Sequence, residues 1–145
     1  MIQNERVLLV KDLCARSPYG VKFRYKYIDN FFHESYGTSK LEGVLPPYHI
    51  VHSTLTGDEH LKIEEDEIKP YLFPLSSMTE KQELMLSLIV CRLEDSDQWR
   101  DGDMVYVDDR YQLGDLLDFY HKNHLDYMGL IDKGLAIDAT NLNIY

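Results

Sequence analysis

The chain carries six histidines, and a histidine side chain can bind a metal ion or transfer a proton near neutral pH. His121 and His124 lie three residues apart in a segment with helical periodicity, so they occupy neighbouring positions on one helix face. A structural zinc ion needs four ligands, and the others would have to come from elsewhere in the chain. We therefore interpret His124 as a residue that packs at the helix end and meets the last carbonyl groups.

A second pair, His49 and His52, lies in the segment HIVH, which is predicted to be a strand. Residues three apart on a strand face opposite sides, so these two cannot hold one ion without a bulge. His33 and His60 are isolated in the sequence. The histidine spacing therefore predicts no metal site.

The segment 94–103, EDSDQWRDGD, looks like a calcium-binding loop. An EF-hand loop needs oxygen ligands at positions one, three and five and a glycine at position six. Counting back from Gly102 puts Asp97, Trp99 and Asp101 at those positions, and tryptophan supplies no oxygen ligand. The pattern fails, and we predict a solvated, charged loop.

Two cysteines, Cys14 and Cys91, complete the candidates for covalent chemistry. Both have apolar neighbours in the sequence, so we predict that they are small buried hydrophobic residues. A cysteine nucleophile needs a positioned histidine, and the local sequence pairs neither cysteine with one. No recognised nucleotide-binding, hydrolase or metalloprotease motif occurs. We therefore predict no catalytic, cofactor-binding or metal-binding residue.

The net charge of the chain indicates which classes of partner it is able to bind. The formal charge is −10 and the sequence pI is about 4.9, so broad binding to nucleic acid or anionic lipid is disfavoured. The segment 21–28, VKFRYKYI, alternates strictly and puts its aromatic residues on one face. Its basic residues, Lys22, Arg24 and Lys26, share the other face, where we expect them to keep an edge strand soluble. We predict no nucleic-acid partner.

Length and composition indicate one globular domain, 1–145, since 145 residues with 44% hydrophobic content can build a core without disulfides. The first apolar run is too short for a signal peptide, and none approaches the ~20 residues of a membrane span. These observations predict no membrane association and a cytoplasmic location.

The elements that position these residues follow from hydrophobic periodicity. Strands are predicted near 21–28, 48–56, 60–65 and 104–107, and helices near 80–93 and 111–123. A short helix over 6–16 is also predicted, although a strand over 6–10 remains open. Residues 29–47 have no sustained period and indicate an irregular connection, with a short strand possible around 40–45. The result is an α+β fold, in which a small antiparallel sheet packs with the helices.

The two strands at 48–56 and 60–65 flank Gly57-Asp58-Glu59, which indicates a hairpin. A three-residue loop would pair Leu55 with Leu61, whereas a two-residue Gly-Asp loop would shift the register.

The segment 67–78 contains Pro70 and Pro74, each of which lacks a backbone donor, so neither is expected in a central strand. We predict that this segment is a corner whose apolar residues cover one end of the core: Tyr71, Leu72, Phe73 and Leu75. A capping box then starts the next helix, either at Ser77 or at Thr79.

That helix, 80–93, is apolar almost all round, so we predict that it is central. The helix over 111–123 has one apolar stripe, formed by Leu113, Leu116, Leu117 and Tyr120. Residues 127–134 could form one further turn closed by Gly134, and the mildly apolar tail is expected to pack as an extended piece.

The segments KDLCARSPYGVKF, EIKPYLFPLSSMTEKQ and NHLDYMGLIDKGLAIDATNLNIY resemble a set of small uncharacterised proteins that gut Bacteroidetes and their phages or mobile elements encode. The resemblance covers the head, middle and tail of the chain, but not 29–66 or 94–112. It implies an intracellular setting, with a possible link to phage, and transfers no activity.

We therefore interpret the chain as a non-enzymatic intracellular interaction or accessory protein with an unknown protein partner. Two alternatives stay open. One is an acidic mimic of nucleic acid that occupies a nucleic-acid-binding host protein. The other is an enzyme whose site is assembled without local motifs.

Overall fold

The computed structural model describes residues 2–45, 49–54, 57–96 and 109–145. Within these ranges the chain is α+β, as the sequence predicts, with three α-helices and seven strands. The helices are α1 (Gln3–Arg16), α2 (Glu80–Ser96) and α3 (Asp109–Lys122). The strands are β1 (Lys22–Ile28), β2 (Glu34–Lys40), β3 (Gly43–Leu45), β4 (His49–Thr54), β5 (Gly57–Lys62), β6 (Lys69–Leu72) and β7 (Ile137–Asp138).

The strands form two sheets. The larger has the order β2-β1-β6-β7, and the smaller has the order β3-β4-β5. All pairs are antiparallel except β6 with β7. The sheets meet where His52 of β4 contacts the rings of Phe23 and Tyr25 in β1, at centroid distances of 5.8 and 5.1 Å. The predicted strand at 104–107 lies outside the described residues.

Strand β2 was not predicted, because its sequence ESYGTSK is polar and contains a glycine. It pairs with all of β1, and this pairing places Gly37 opposite Tyr25. The Tyr25 ring covers the glycine, since a Cβ built at Gly37 would lie 2.5 Å from the ring. Packing against the Tyr25 ring therefore stabilises a strand whose residues have low intrinsic strand propensity. It also makes β1 a central strand rather than the edge strand that the sequence predicts.

Strand β6 corrects the expectation that Pro70 marks a corner. Pro70 pairs with Phe23 of β1, and the parallel ladder to β7 begins one residue later, at Tyr71. Proline has no backbone N–H, and this missing donor therefore lies one residue before the β6–β7 ladder begins. Tyr71 and Leu72 are ladder residues, contrary to prediction, whereas Pro74 lies outside the strands.

The β4–β5 hairpin has a register that differs from both predicted alternatives. Thr54 pairs with Gly57 and Ile50 pairs with Leu61, so Gly57 and Asp58 belong to β5 and not to a loop. This register brings two apolar residues, Ile50 and Leu61, opposite each other. Leu55 lies outside the described residues.

The first helix and the extended tail have the type of structure that the sequence predicts. Residues 6–16 belong to α1, so the strand alternative for 6–10 is wrong. The tail contributes β7, and residues 127–134 form turns rather than a helix. The buried core joins α1 to both sheets and the tail; its residues include Leu9, Leu13, Val21, Phe23, Ile50, Ile63, Leu72 and Leu130.

Helix α2 begins at the second predicted capping box. The backbone N–H of Gln82 donates to Thr79 Oγ1 (3.2 Å), and the backbone N–H of Thr79 donates to Gln82 Oε1 (2.9 Å). The helix is not central, however, because Leu84 is 62% exposed and Leu88 is 50% exposed. Cys91 is exposed on this helix, as Cys14 is on α1, so the prediction of two buried cysteines is wrong. Apolar composition did not indicate burial here.

The stripe predicted on α3 is also shifted. Leu113 is exposed, and Leu116, Leu117 and Tyr120 are half-buried. Among the side chains of α3 that the structure describes, those of Phe119 and His121 are buried. Helix α3 packs mainly against α2, and none of the four stripe residues is fully buried.

The close contact at Gly37 gives a testable prediction. Gly37→Ala should lower the free energy of unfolding by about 1–3 kcal/mol, because the new methyl group overpacks against Tyr25. The ring cannot easily yield, since Phe23, Tyr27 and His52 surround it. Urea titration measures the change. Gly43→Ala in β3 is the matched control, because nothing lies within 4 Å of its Cβ position. Equal effects at both glycines would contradict the interpretation.

Candidate interaction site

The β1–β2 hairpin ends in a group of exposed apolar residues, here named the aromatic tip: Tyr27, Ile28, Phe31 and Phe32. Phe31 is 79% exposed and Phe32 is 90% exposed. Folding normally removes aromatic surface from water, at roughly 25 cal/mol per Å² of apolar area. Two consecutive phenylalanines at the apex of a hairpin therefore gain nothing from the fold of the described residues.

The aromatic tip is held in one conformation by Asp29. One carboxylate oxygen, Oδ1, accepts hydrogen bonds from the N–H groups of Phe31 (2.8 Å) and His33 (2.9 Å). The Asp29 N–H closes the turn by donating to the His33 carbonyl at 2.9 Å. Phe32 has φ of 63°, in the left-handed region that residues other than glycine rarely adopt. The tip is therefore both braced and locally strained, and strain of this kind concentrates at functional sites.

Phe31 and Phe32 were missed by sequence reasoning because they lie in the segment 29–47, which showed no period, whereas Tyr27 and Ile28 belong to the strand predicted at 21–28. One signal was present in the sequence. The turn residues Asp29-Asn30 are followed directly by two phenylalanines, where a turn normally carries small or polar residues.

A second polar arrangement is buried, at the junction of α1, α3 and the tail. The side chains of Asp12 and Arg16 are both fully buried, and Arg16 Nε donates to Asp12 Oδ2 at 2.7 Å. Arg16 Nη2 also donates to the Leu125 carbonyl at 2.7 Å, which connects α1 to the segment after α3. Burial raises the pKa of Asp12, although the Arg16 guanidinium acts in the opposite direction. This pair positions helices and is not open to a ligand.

His121 of α3 and His124, which follows α3, join this junction at separate places. His121 is buried and its Nε2 lies 2.9 Å from the Tyr127 hydroxyl. His124 follows the helix with φ of 53° and stacks on the Tyr145 ring at 4.1 Å. The prediction that His124 packs at the helix end agrees with this position, although it stacks on an aromatic ring rather than meeting the carbonyl groups. The two imidazoles have different partners.

The remaining histidines and acidic residues are dispersed. His52 is buried and its Nδ1 lies 2.9 Å from Ser39 Oγ, whereas His49 is half-buried on β4. Residues 94–96 of the predicted charged loop belong to α2, and the rest of that loop lies outside the described residues. Across the part of the chain that the structure describes, no group of three or more His, Cys, Asp or Glu side chains could hold a metal ion.

A cleft of about 740 Å³ lies between α2, α3 and the turn at 17–19. Some of its polar residues are bonded to each other. The Tyr19 hydroxyl donates to Asp118, which raises the pKa of Tyr19, and Gln82 Nε2 donates to Asn123 Oδ1 at 3.0 Å. The cleft is open, and neither histidine nor cysteine is among its described lining residues.

Comparison with known proteins adds no relative. No family model, curated protein or solved structure matches the chain significantly. In the described ranges, no helix has the length and apolar character needed to cross a bilayer.

The buried ion pair generates a prediction about stability. Arg16→Met should lower the free energy of unfolding by about 3–5 kcal/mol, because it leaves the Asp12 carboxylate buried and unpaired. The double variant Asp12→Leu, Arg16→Met should be more stable than Arg16→Met alone, since no unpaired charge remains. Urea titrations of the three proteins at equal slope make the comparison. A double variant that is no more stable than the single variant would show that the loss comes from packing and not from charge.

His121 of α3 and His124 just after the helix generate a prediction about pH. Burial lowers the pKa of His124 to about 4, with Arg16 and Lys22 adding repulsion, and burial also lowers the pKa of His121. Both rings have a pKa of about 6.5 when the chain is unfolded. As the pH falls below that value, the unfolded state takes up protons before the folded state, so stability falls between about pH 6.5 and about pH 4.

The measurement is the urea midpoint at about pH 7 and about pH 4.5. His124→Asn is the comparison variant, because asparagine tolerates the left-handed backbone and does not titrate. The acid-induced drop of the midpoint should be smaller in this variant than in the parent chain. An equal drop would assign the acid sensitivity to other groups.

Proposed function

We propose that this chain is a non-enzymatic interaction protein that binds a protein partner through the aromatic tip. The exposure of Phe31 and Phe32 is the observation that carries the proposal. Protein–protein interfaces are enriched in aromatic residues at their centre, where a few such side chains supply most of the binding free energy. The braced turn adds to this, because a pre-ordered binding element loses less conformational entropy when it binds.

The shape of the tip supports a partner with an apolar pocket. A hairpin apex is convex, so Phe31 and Phe32 can be buried only by a concave surface. The resemblance to proteins of gut Bacteroidetes and their phages or mobile elements suggests an intracellular accessory role in such a setting. We take the partner to be a protein of that bacterial cell or of the element itself.

A photo-crosslinking experiment tests this proposal. The photoreactive residue p-benzoylphenylalanine replaces Phe32, and the full chain is irradiated in lysate from a gut Bacteroidetes species. We expect one discrete adduct with a protein, because a buried tip residue lies against its partner. The same adduct should be lost when Phe31→Ser is added, with the melting temperature unchanged, since exposed substitutions shift stability within about 0.5 kcal/mol.

The matched control places the same photoreactive residue at Leu142, an exposed apolar position of the tail. Adducts that form equally from both positions would reflect non-specific contact and would contradict the proposal. Absence of any adduct from position 32 would contradict it as well.

A further inference from the structure

The solvent side of the larger sheet is basic, although the chain as a whole is acidic. The register puts Arg24 of β1 directly opposite Thr38 of β2 and Lys69 of β6, so these side chains share one face. Alternate residues on a strand face the same side. This surface, here named the basic sheet face, therefore carries five of the 15 basic residues of the chain: Lys22, Arg24, Lys26, Lys40 and Lys69.

The carboxylates near this face do not neutralise it. Glu34 and Glu67 both approach Lys26, with oxygen atoms 2.7 and 3.4 Å from its Nζ. Lys22 Nζ donates to the Ile144 carbonyl at 2.5 Å. Five cations thus meet two carboxylates in a chain whose formal charge is −10. The two carboxylates lie at the Lys26 end of the face, where Glu67 also accepts a hydrogen bond from the Tyr36 hydroxyl at 3.4 Å, and the face as a whole keeps an excess of positive charge.

Three of these cations are available to a ligand. No carboxylate in the described ranges lies within ion-pair distance of Arg24, Lys40 or Lys69. Lys40 is exposed, and the other two are half-buried at the level of the sheet. They come from three adjacent strands, so the available charge runs across the sheet rather than along one strand.

An exposed aromatic ring lies among the cations. Tyr36 of β2 is 52% exposed, and the Arg24 guanidinium carbon lies 4.4 Å from its ring centroid. The guanidinium lies over the ring and leaves more than half of the residue open to solvent. Single-strand-binding surfaces combine these two features, because bases stack on aromatic rings while basic side chains contact the phosphates.

We propose that the basic sheet face binds single-stranded nucleic acid. A base stacks on Tyr36, and successive phosphates meet Arg24, Lys40 and Lys69. An acidic peptide would use the cations but would leave the tyrosine without a stacking partner. A duplex fits less well, because its bases already stack on each other. At physiological salt the Debye length is about 8 Å, so distant acidic residues weaken this attraction only slightly.

This inference is independent of the aromatic tip, and its test uses the full chain without any protein partner. The probe is a fluorescent oligothymidylate of about 12 nucleotides, within the usual site size, and fluorescence anisotropy measures binding at several salt concentrations. Three phosphate contacts on a single strand predict a slope of about −2 for log K against log salt concentration. An oligouridylate of equal length should also bind, and a duplex should bind more weakly.

The charge variants are Lys40→Gln with Lys69→Gln, and the matched control is Lys133→Gln, an exposed lysine outside this face. The double variant should make the slope shallower by about 1.4, whereas the control should leave it nearly unchanged. Lack of binding by the parent chain overturns the proposal. If Lys133→Gln makes the slope shallower by as much per removed charge as the double variant does, the proposal is also overturned. The attraction of the chain for the oligonucleotide would then be non-specific.

The stacking variant separates nucleic acid from an acidic peptide. Tyr36→Ser should weaken oligothymidylate binding by roughly 5- to 150-fold, the loss expected for one stacked base. Tyr36→Phe keeps the ring and should restore binding. If Tyr36→Ser binds as tightly as the parent chain and polyglutamate competes as well as the oligonucleotide, the face is an acidic-peptide site and the proposal is wrong.

Discussion

The fold depends on one buried cation. Arg16 sits at the end of α1 with its guanidinium removed from water, and a charge in that position is tolerated only with its partners in place. One partner, Asp12, lies one turn earlier, and the other, the Leu125 carbonyl, lies 109 residues later in the chain. The adjacent Asp126 then accepts hydrogen bonds from the N–H groups of Leu130 and Ile131, both at 2.8 Å. The position of α1 and the path of the chain after α3 are thereby coupled.

The features that sequence reasoning predicted are those that local physics decides. Strict alternation identified β1, and the two capping boxes at Ser77 and Thr79 placed the start of α2 within a few residues. What it missed depends on neighbours distant in sequence. Strand β2 exists because β1 pairs with it along its whole length, and Pro70 is tolerated because its missing donor precedes the ladder to β7. A helix as apolar as α2 gives no sign of which face the rest of the chain covers.

The candidate sites illustrate the same limit. Phe31 and Phe32 were not identified from the sequence, since their exposure depends on a strand that the sequence did not reveal. The aromatic and basic residues of β1 lie on opposite faces of the strand, as the sequence predicts. The sequence alone does not show that β2 places Tyr36 and Lys40 on the basic side of the sheet. Net charge is a sum over the chain, whereas a binding surface depends on which residues the register makes neighbours.

Phe32 occupies a backbone conformation that suits glycine, and a residue with a side chain pays about 1–2 kcal/mol there. Random mutation offers many polar or smaller replacements at such a position, and several would ease the turn or remove apolar surface from water. A lineage selected for folding alone would drift away from phenylalanine at the apex. The partner-binding role proposed for the aromatic tip would account for a phenylalanine at this position.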